Sequence, residues 1–189
     1  MTRVVLSIGS NLGDRVARLQ SVVDGLGESL LAVSPAYETD AWGPVEQGPF
    51  LNAVVIADDP ALDEFGWLRW AQQLEEAAGR VRGQRWGPRT LDVDLVNCYQ
   101  SAPDGDVEVF SRDYRLTLPH PLAHLRAFVL IPWLAIQPDA ELTVDGRKRP
   151  IAGLLAELEP ADRGSVRLTA QVLNLTTPQR VVPNAMPEI

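Results

Sequence analysis

The stretch RVRGQRWGPRTLDVDL, residues 80–95, joins a cationic loop to a segment of strictly alternating pattern. In its second half, Leu91, Val93 and Leu95 alternate with Asp92 and Asp94. A period of two predicts a β-strand on which both carboxylates share one face. Their Cα atoms would lie roughly 7 Å apart, from a rise of about 3.3 Å per residue. Two carboxylates at that spacing repel each other unless a cation lies between them.

The first half of the stretch is a loop that carries four arginines and no acidic residue. A guanidinium group binds phosphate oxygens through parallel hydrogen bonds, and Mg²⁺ is commonly held by one or two carboxylates together with substrate phosphates. Each half alone usually forms ordinary solvated surface, but their direct connection favours a site for nucleotide phosphate and magnesium. The four cationic residues of the loop are Arg80, Arg82, Arg85 and Arg89.

The composition predicts one acidic domain with a sizeable core. The chain has 189 residues, of which 46% are hydrophobic, and a formal net charge of -8. That charge argues against a nucleic acid or an anionic membrane as partner. Lysine occurs once, at Lys148, which excludes a Walker A loop. The single Cys98 excludes an internal disulfide and agrees with a reducing cytoplasm, and no apolar run approaches the about 18 residues of a membrane span.

The hydrophobic patterns predict an α+β fold, with an antiparallel sheet and helices on one face. Asp14 can cap the first helix, whose apolar spacing continues as far as Leu30 and which Ser34-Pro35 breaks. Residues 100–106 read as a polar loop, and residues 151–158 as the last short helix. Further predicted elements are strands at Arg3–Ile8, Ala36–Thr39, Phe50–Ala57 and Leu91–Tyr99, and helices at Asp63–Gly79 and Ala127–Ile136.

Several motifs, in order, resemble the 6-hydroxymethyl-7,8-dihydropterin pyrophosphokinase family. The central one is RWGPRTLDVDL at residues 85–95, and the resemblance extends roughly from Thr2 to Leu158. It implies a ferredoxin-like βαββαβ core with C-terminal additions. It also suggests a catalytic domain over residues 1–164 and an extension of unassigned role over residues 165–189. The other matching segments are Ile8–Gly13, Phe50–Ala53, Leu118–Pro121 and Arg126–Leu130.

The resemblance implies transfer of pyrophosphate from ATP to 6-hydroxymethyl-7,8-dihydropterin, with release of AMP, in folate biosynthesis. Asp92 and Asp94 would hold two Mg²⁺ ions, and Arg80 and Arg89 would assist the reaction. The loops at residues 40–49 and 82–88 would act as lids in a cytoplasmic, monomeric enzyme. The residues implied to bind ATP are Gln72, Glu75, Arg82, Arg85, Trp86, Arg115, Thr117, His120 and Arg126. The residues implied to bind the pterin are Thr39, Trp42, Phe50, Asn52 and Phe128.

Two alternatives remain open at this stage. One is a different Mg²⁺–nucleotide transferase on the same scaffold, which acts on another small heterocycle. The other is a non-catalytic ferredoxin-like module that senses a nucleotide and releases no AMP. The second alternative does not account for the acidic pair at residues 92 and 94, because a pure sensor needs no metal pair.

Overall fold

A seven-stranded antiparallel sheet forms the centre of the molecule. A computed structural model describes residues 2–41, 46–80 and 87–175. The strands in this part of the chain are β1 (Thr2–Ser10), β2 (Leu30–Val33), β3 (Tyr37–Thr39), β4 (Phe50–Asp59), β5 (Asp92–Ala102), β6 (Gly105–Glu108), β7 (Ser111–Arg112), β8 (Thr117–Leu118), β9 (Glu141–Val144), β10 (Arg147–Pro150) and β11 (Val166–Leu168). The helices are α1 (Arg15–Leu26), α2 (Glu64–Ala77), α3 (Ala127–Ile136), α4 (Ile151–Glu157) and α5 (Pro160–Gly164).

The strand order confirms the predicted ferredoxin-like core. The sheet runs β11-β3-β4-β1-β5-β6, and β2 also pairs with β4. All of its pairings are antiparallel, and β1 lies between the two longest strands, β4 and β5. The connections β1–α1–β2/β3 and β4–α2–β5 supply the βαββαβ order. The pairs β7–β8 and β9–β10 lie outside this sheet.

The first face of the sheet is covered by α1 and α2. Val4, Leu6 and Ile8 of β1 point to this side and are fully buried. Leu19 of α1 and Trp67 of α2 pack in the same cluster. Because alternate residues of a strand point to opposite faces, the other set of β1 residues lies on the second face.

The second face is covered over part of its length by α3 and α4, so the prediction of helices on one face was wrong. Leu130 and Trp133 of α3 and Leu154 of α4 pack there against sheet residues that include Val5 and Val54. The apolar spacing of α3 predicted a helix but not the face on which it packs. That placement follows from the β8–α3 connection, since the backbone N–H of His120 binds the carbonyl of Val96 at 2.9 Å.

The first helix ends earlier than predicted. Asp14 caps α1, as expected, by accepting the N–H of Ala17 at 3.0 Å. The helix stops at Leu26, because Gly27 has a φ of 51° that favours glycine and ends the helical path. The predicted apolar spacing up to Leu30 was therefore misleading: this residue begins β2, which pairs with β4.

The C-terminal half differs from expectation at two other points. The polar segment 100–106 is not a loop but the tip of the β5–β6 hairpin, which turns tightly at Gly105 with a φ of 115°. Polar composition indicated a loop because both strands of this tip are exposed. The predicted helix at 151–158 is α4, but it is followed by a further short helix, α5, with Pro160 in its first turn.

Residues 165–175 pack against the core rather than leave it. β11 pairs with β3 and thereby extends the main sheet. Beyond it, Leu173 is buried in the cluster under the first face, and Asn174 exchanges two hydrogen bonds with the side chain of Gln20. The sequence assigned no role to this segment. Within the described residues no helix is long and apolar enough to cross a membrane.

Candidate active site

An open cavity lies on the second face of the sheet, beyond the N-terminus of α3. It encloses about 580 Å³, counting the part that is open to solvent. This size suits a small heterocycle with part of a nucleotide. Its lining consists of Ser7, Gly9, Thr39, Asp40, Gln47, Phe50, Asn52, Gly87, Arg89, Asp92, Asp94, Arg126 and Phe128.

The cavity exists because the side chains on this face of β4, β1 and β5 change from apolar to small or polar at the same height in the sheet. Along β1, the residues on this face become smaller from Val5 to Ser7 to Gly9. We call the apolar end the covered half, since α3 and α4 pack on its residues Val5, Val54, Ile56 and Val96. We call the polar end the open half, and its residues are Ser7, Gly9, Asn52, Asp92 and Asp94.

The strand register places the open half in two rows. Gly9 pairs with Asn52 on one side and with Asp92 on the other. Ser7 is the neighbour of Asp94 in the next row. Directly opposed residues of an antiparallel pair have Cα atoms about 5 Å apart. The amide of β4 and the two carboxylates of β5 are therefore held at fixed positions around the small residues of β1.

Asp92 lies among two arginines and a glutamate. Its Oδ1 is 2.9 Å from a terminal nitrogen of Arg80 and also forms an ion pair with Arg89. Within the described part of the chain, this buried oxygen receives no hydrogen bond of good geometry, although both guanidinium groups lie in ion-pair contact with it. Burial and the neighbouring charge of Asp94 raise the pKa of Asp92, and the two arginines oppose that rise. A carboxylate oxygen in this state is suited to accept a cation.

Glu75 at the end of α2 holds both parts of the loop-to-strand stretch. Its Oε1 accepts the backbone N–H of Val93 at 2.9 Å and forms an ion pair with Arg80. Burial raises the pKa of Glu75 to about 7, with the hydrogen bond from Val93 acting in the opposite direction. Glu75 therefore fixes the start of β5 and orients Arg80 toward Asp92.

Asp94 faces α3 and the β8–α3 connection. Its Oδ2 accepts a hydrogen bond from Arg126 at 3.1 Å, and the Nε2 atom of His120 lies 4.0 Å away. Burial, and then the charge of Arg126, lower the pKa of His120 to about 4, so at neutral pH this contact is no ion pair. The Nδ1 atom of His120 accepts the N–H of Leu122 at 3.1 Å, so the neutral ring carries its proton on Nε2, toward the site.

The other end of the cavity combines an amide with aromatic rings. The buried Asn52 donates from Nδ2 to the hydroxyl of Thr39 at 2.6 Å. Phe50 and Phe128 line the cavity beside it, and the guanidinium of Arg126 lies 5.6 Å from the centre of the Phe128 ring. A flat heterocycle fits between aromatic faces while an amide reads its polar edge.

Sequence reasoning missed Asn11, which connects the two sides of the cavity. Its backbone N–H donates to the carbonyl of Arg89 at 3.1 Å, and its Oδ1 accepts the N–H of Arg89 at 2.8 Å. Its Nδ2 donates to the side chain of Gln47 and to the carbonyl of Gly48. The segment Ile8–Gly13 pointed to this region only through family resemblance, since an asparagine after a strand ordinarily indicates just a turn.

The sequence profile described as 7,8-dihydro-6-hydroxymethylpterin-pyrophosphokinase, or HPPK, matches residues 5–138 of the chain. The chain belongs to the HPPK family.

Two mycobacterial relatives extend the similarity over nearly the whole chain. Both are named 2-amino-4-hydroxy-6-hydroxymethyldihydropteridine pyrophosphokinase. The protein from Mycobacterium tuberculosis is 71% identical over 169 residues, which cover 89% of this chain and 90% of the relative. The protein from Mycobacterium leprae is 64% identical over 186 residues, which cover 96% and 97% of the two chains.

A solved structure of Plasmodium falciparum HPPK-DHPS with pteroate has the same fold. Its TM-score is 0.58 at 12% sequence identity, over 82% of this chain. The match spans less than half, 44%, of the longer Plasmodium chain. At this identity the likeness shows the HPPK domain fold alone, and it agrees with the ferredoxin-like strand order.

The structure brings most of the predicted HPPK site residues together. Glu75, Arg80 and His120 approach the two aspartates from outside the lining. Eight predicted residues line the cavity itself, namely Thr39, Phe50, Asn52, Arg89, Asp92, Asp94, Arg126 and Phe128.

Three other predicted ATP-side residues are described but do not line this cavity. Gln72 is half-buried on α2, and Thr117 lies in the β7–β8 pair. Arg115 is exposed, pairs with Asp113 and stacks over the ring of Phe65 at 4.9 Å. Four predicted residues lie outside the described part of the chain, as do the central parts of both predicted lids. These residues are Trp42, Arg82, Arg85 and Trp86.

The acidic pair fits a divalent cation that also binds a substrate. Among residues 2–41, 46–80 and 87–175, no three His, Cys, Asp or Glu side chains gather into a metal cage. Mg²⁺ does not need one, since it usually keeps water and phosphate ligands beside one or two carboxylates. The orphaned Oδ1 of Asp92 and the nearby carboxylate of Asp94 provide that kind of partial site.

Proposed function

We propose that this cavity carries out the reaction of the HPPK family: transfer of pyrophosphate from ATP to 6-hydroxymethyl-7,8-dihydropterin, with release of AMP. The oxygen of the hydroxymethyl group forms a bond to the β-phosphorus of ATP, and the bond from that phosphorus to the bridging oxygen of AMP breaks. The observation that carries the proposal is the row Asn52–Gly9–Asp92. It puts a group suited to a heterocycle and a group suited to a metal-bound phosphate on the two strands that flank β1.

The pterin ring would occupy the amide end of the cavity. Phe50 and Phe128 supply flat apolar surfaces, and Asn52, oriented by Thr39, reads the edge of the ring. The 6-hydroxymethyl group would then point toward β5. The family resemblance adds Trp42 to this side of the site.

Asp92 and Asp94 would hold Mg²⁺, and the resemblance implies two ions. When bound, Mg²⁺ neutralises phosphate charge and lowers the pKa of the attacking hydroxyl. The arginines that contact Asp92 would then be released to the phosphate oxygens of ATP. Without ATP, these ion pairs keep Arg80 and Arg89 beside the place where the transferred group will lie.

Arg80 and Arg89 would act mainly in the transition state. Pyrophosphoryl transfer requires positioning and charge stabilisation more than bond making by the protein. His120, through Nε2, and Arg126, through its guanidinium, both lie beside Asp94 and would donate to the phosphates, while Glu75 orients Arg80. The remaining ATP-binding residues are assigned by the family resemblance alone, namely Gln72, Arg82, Arg85, Trp86, Arg115 and Thr117.

The decisive experiment is a mass-spectrometric assay of AMP release with ATP, Mg²⁺ and 6-hydroxymethyl-7,8-dihydropterin. We expect AMP and the pterin diphosphate in equal amounts, and no AMP when EDTA is added. AMP release that does not depend on the pterin would favour a transferase for another heterocycle. ATP binding without any AMP in the presence of a panel of acceptors would favour a nucleotide sensor.

We further propose that one chain is sufficient for activity and that the enzyme works as a cytoplasmic monomer. The single cysteine, Cys98, is a buried free thiol, which agrees with a reducing compartment. The division into a catalytic domain at 1–164 and an extension at 165–189 remains part of this proposal. Light scattering during turnover would test the monomer, and a dimer at assay concentrations would contradict it.

A further inference from the structure

Gly9 lies at the centre of the cavity floor. It is on the middle strand of the sheet and pairs with Asn52 of β4 and with Asp92 of β5. Its backbone thus separates the proposed pterin side from the proposed metal side. A ligand that reaches from one side to the other must pass over this residue.

A side chain at Gly9 would have no room. A Cβ built there would lie 2.5 Å from Oδ1 of Asn52 and 3.7 Å from the ring of Phe50. Gly9 belongs to a regular strand that pairs on both sides, and its φ does not lie in the left-handed region. The glycine is therefore needed for space and not for backbone freedom. At Gly153 of α4, by contrast, a Cβ would meet nothing within 4 Å.

The neighbouring amide cannot easily turn away from an added methyl group. Asn52 is 5% exposed, and its Nδ2 donates a hydrogen bond of 2.6 Å to the hydroxyl of Thr39, which is also buried. That bond orients Oδ1 over Gly9. An alanine at position 9 would have to displace Oδ1 and break the Thr39 contact, or push up the floor of the cavity.

We infer that Gly9 is a specificity-determining residue for the heterocyclic substrate, an inference that rests on the proposed function. Because Gly9 has no side chain, the amide of Asn52 can keep its orientation over this residue. The heterocyclic ring of the substrate can then lie close to the β1 backbone. The expected consequence of Gly9→Ala is a selective loss of pterin affinity. ATP and Mg²⁺ would bind beyond Asp92, and the three atoms nearest to the added methyl group belong to Asn52 and Phe50 and not to a carboxylate.

The test is a double-mutant cycle between Gly9→Ala and Asn52→Ala. Calorimetric titration gives the Kd of 6-hydroxymethylpterin, in the presence of Mg²⁺ and a non-hydrolysable ATP analogue, and separately the Kd of that analogue. We expect Gly9→Ala alone to weaken pterin binding at least about tenfold, as for loss of a buried hydrogen bond. In the Asn52→Ala background, where the obstructing oxygen is gone, the further loss should be less than about twofold. Gly153→Ala is the matched control and should leave both constants unchanged.

The outcomes separate the inference about Gly9 from the proposed function. Equal losses in both backgrounds, or an equal loss of affinity for the ATP analogue, would overturn the role of Gly9 through Asn52. Failure of Gly9→Ala to fold, seen in its thermal melting, would assign the glycine to structure alone and also overturn the inference. Failure of the unmodified protein to bind the pterin would instead remove the proposed function, which separates the two cases.

Discussion

The covered half and the open half of the second sheet face are built from the same three strands but have different roles. In the covered half, Val5, Val54 and Ile56 bury apolar surface against α3 and α4, and burial of this kind supplies most of the stability of a fold. Toward the opposite end of the same strands, the side chains on this face become serine, glycine, amide and carboxylate. Like charges gather there, and among the described residues no donor makes a well-formed hydrogen bond to a buried oxygen of Asp92.

The difference teaches that the site is destabilised locally and held in place by its surroundings. Asp92 and Asp94 repel each other on one face of β5, and the pairing of β5 with β1 holds that strand in place beside Gly9 and Ser7. Perturbed and underpaired groups of this kind are typical of functional sites. Substitutions in the open half should therefore affect turnover, and substitutions in the covered half should affect stability.

The largest effect is expected for Asp94→Ala. Loss of one carboxylate of the proposed metal pair should reduce AMP release by about a thousandfold or more, since a bound metal contributes several kcal/mol to transition-state stabilisation. The melting temperature should stay within a few degrees, because relief of the repulsion with Asp92 offsets the lost ion pair with Arg126. The exposed Asp104→Ala in the β5–β6 turn is the matched control and should keep full activity. A near-normal rate for Asp94→Ala would remove the metal role.

Arg80→Ala should come next, with a fall in kcat of about a hundredfold and a much smaller change in ATP affinity. This split is expected of a group that acts mainly in the transition state. Arg80 is held by Glu75 and Asp92 before ATP binds, so its place does not depend on the nucleotide. Steady-state kinetics and ATP titration measure the two effects separately. Equal losses in both would assign Arg80 to ground-state binding.

Leu154→Ala tests the covered half. This α4 side chain is 2% exposed, and its truncation should lower the free energy of unfolding by about 2–5 kcal/mol. The kcat of the protein that remains folded at 25 °C should be unchanged, since Leu154 does not line the cavity. Urea unfolding and the AMP assay on the same samples measure both quantities. A stable variant with lost activity would contradict the division between the two halves.

Asn11→Ala should lower kcat/KM about tenfold, as expected when hydrogen bonds that position a catalytic group are lost. The side chain bonds the backbone N–H of Arg89 and the carbonyl of Gly48, so its loss loosens both sides of the cavity. Asn11→Asp keeps the acceptor for Arg89 but loses the donor, and should recover part of the rate. If it recovers none of the rate, the bond to Arg89 is not the important one.

The smallest effect concerns Cys98, which is buried in the cluster on the first face of the sheet. Burial, and then the charge of Glu64, raise the pKa of its thiol from 9.0 to about 12. The folded state therefore binds this proton more tightly than the unfolded state. The stability contributed is fully present below pH 9 and is lost as the pH rises toward 12. Iodoacetamide should label the native protein very slowly at pH 8, and Cys98→Ala should show a weaker loss of stability above pH 9.

Much of the core could be read from local pattern. The alternation of residues 91–95 identified β5 and the shared face of its carboxylates, and helical spacing with an Asp cap identified α1 and α2. β2 could not be found in this way, because its apolar residues continue the helical spacing of α1 and only pairing with β4 distinguishes them. The β5–β6 hairpin was hidden for the opposite reason, since its exposed strands have the composition of a loop.

The sequence alone determined the chemical types at the site: an acidic pair, arginines beside it, and an amide between aromatics. These follow from residue identity and from the period of a strand, which are local properties. The tertiary structure decided which of them meet. The row Asn52–Gly9–Asp92, the anchoring of Arg89 by Asn11 and the placement of α3 on the second face join residues far apart in the chain. No local pattern encodes such contacts, because they depend on strand register and on which face a helix covers.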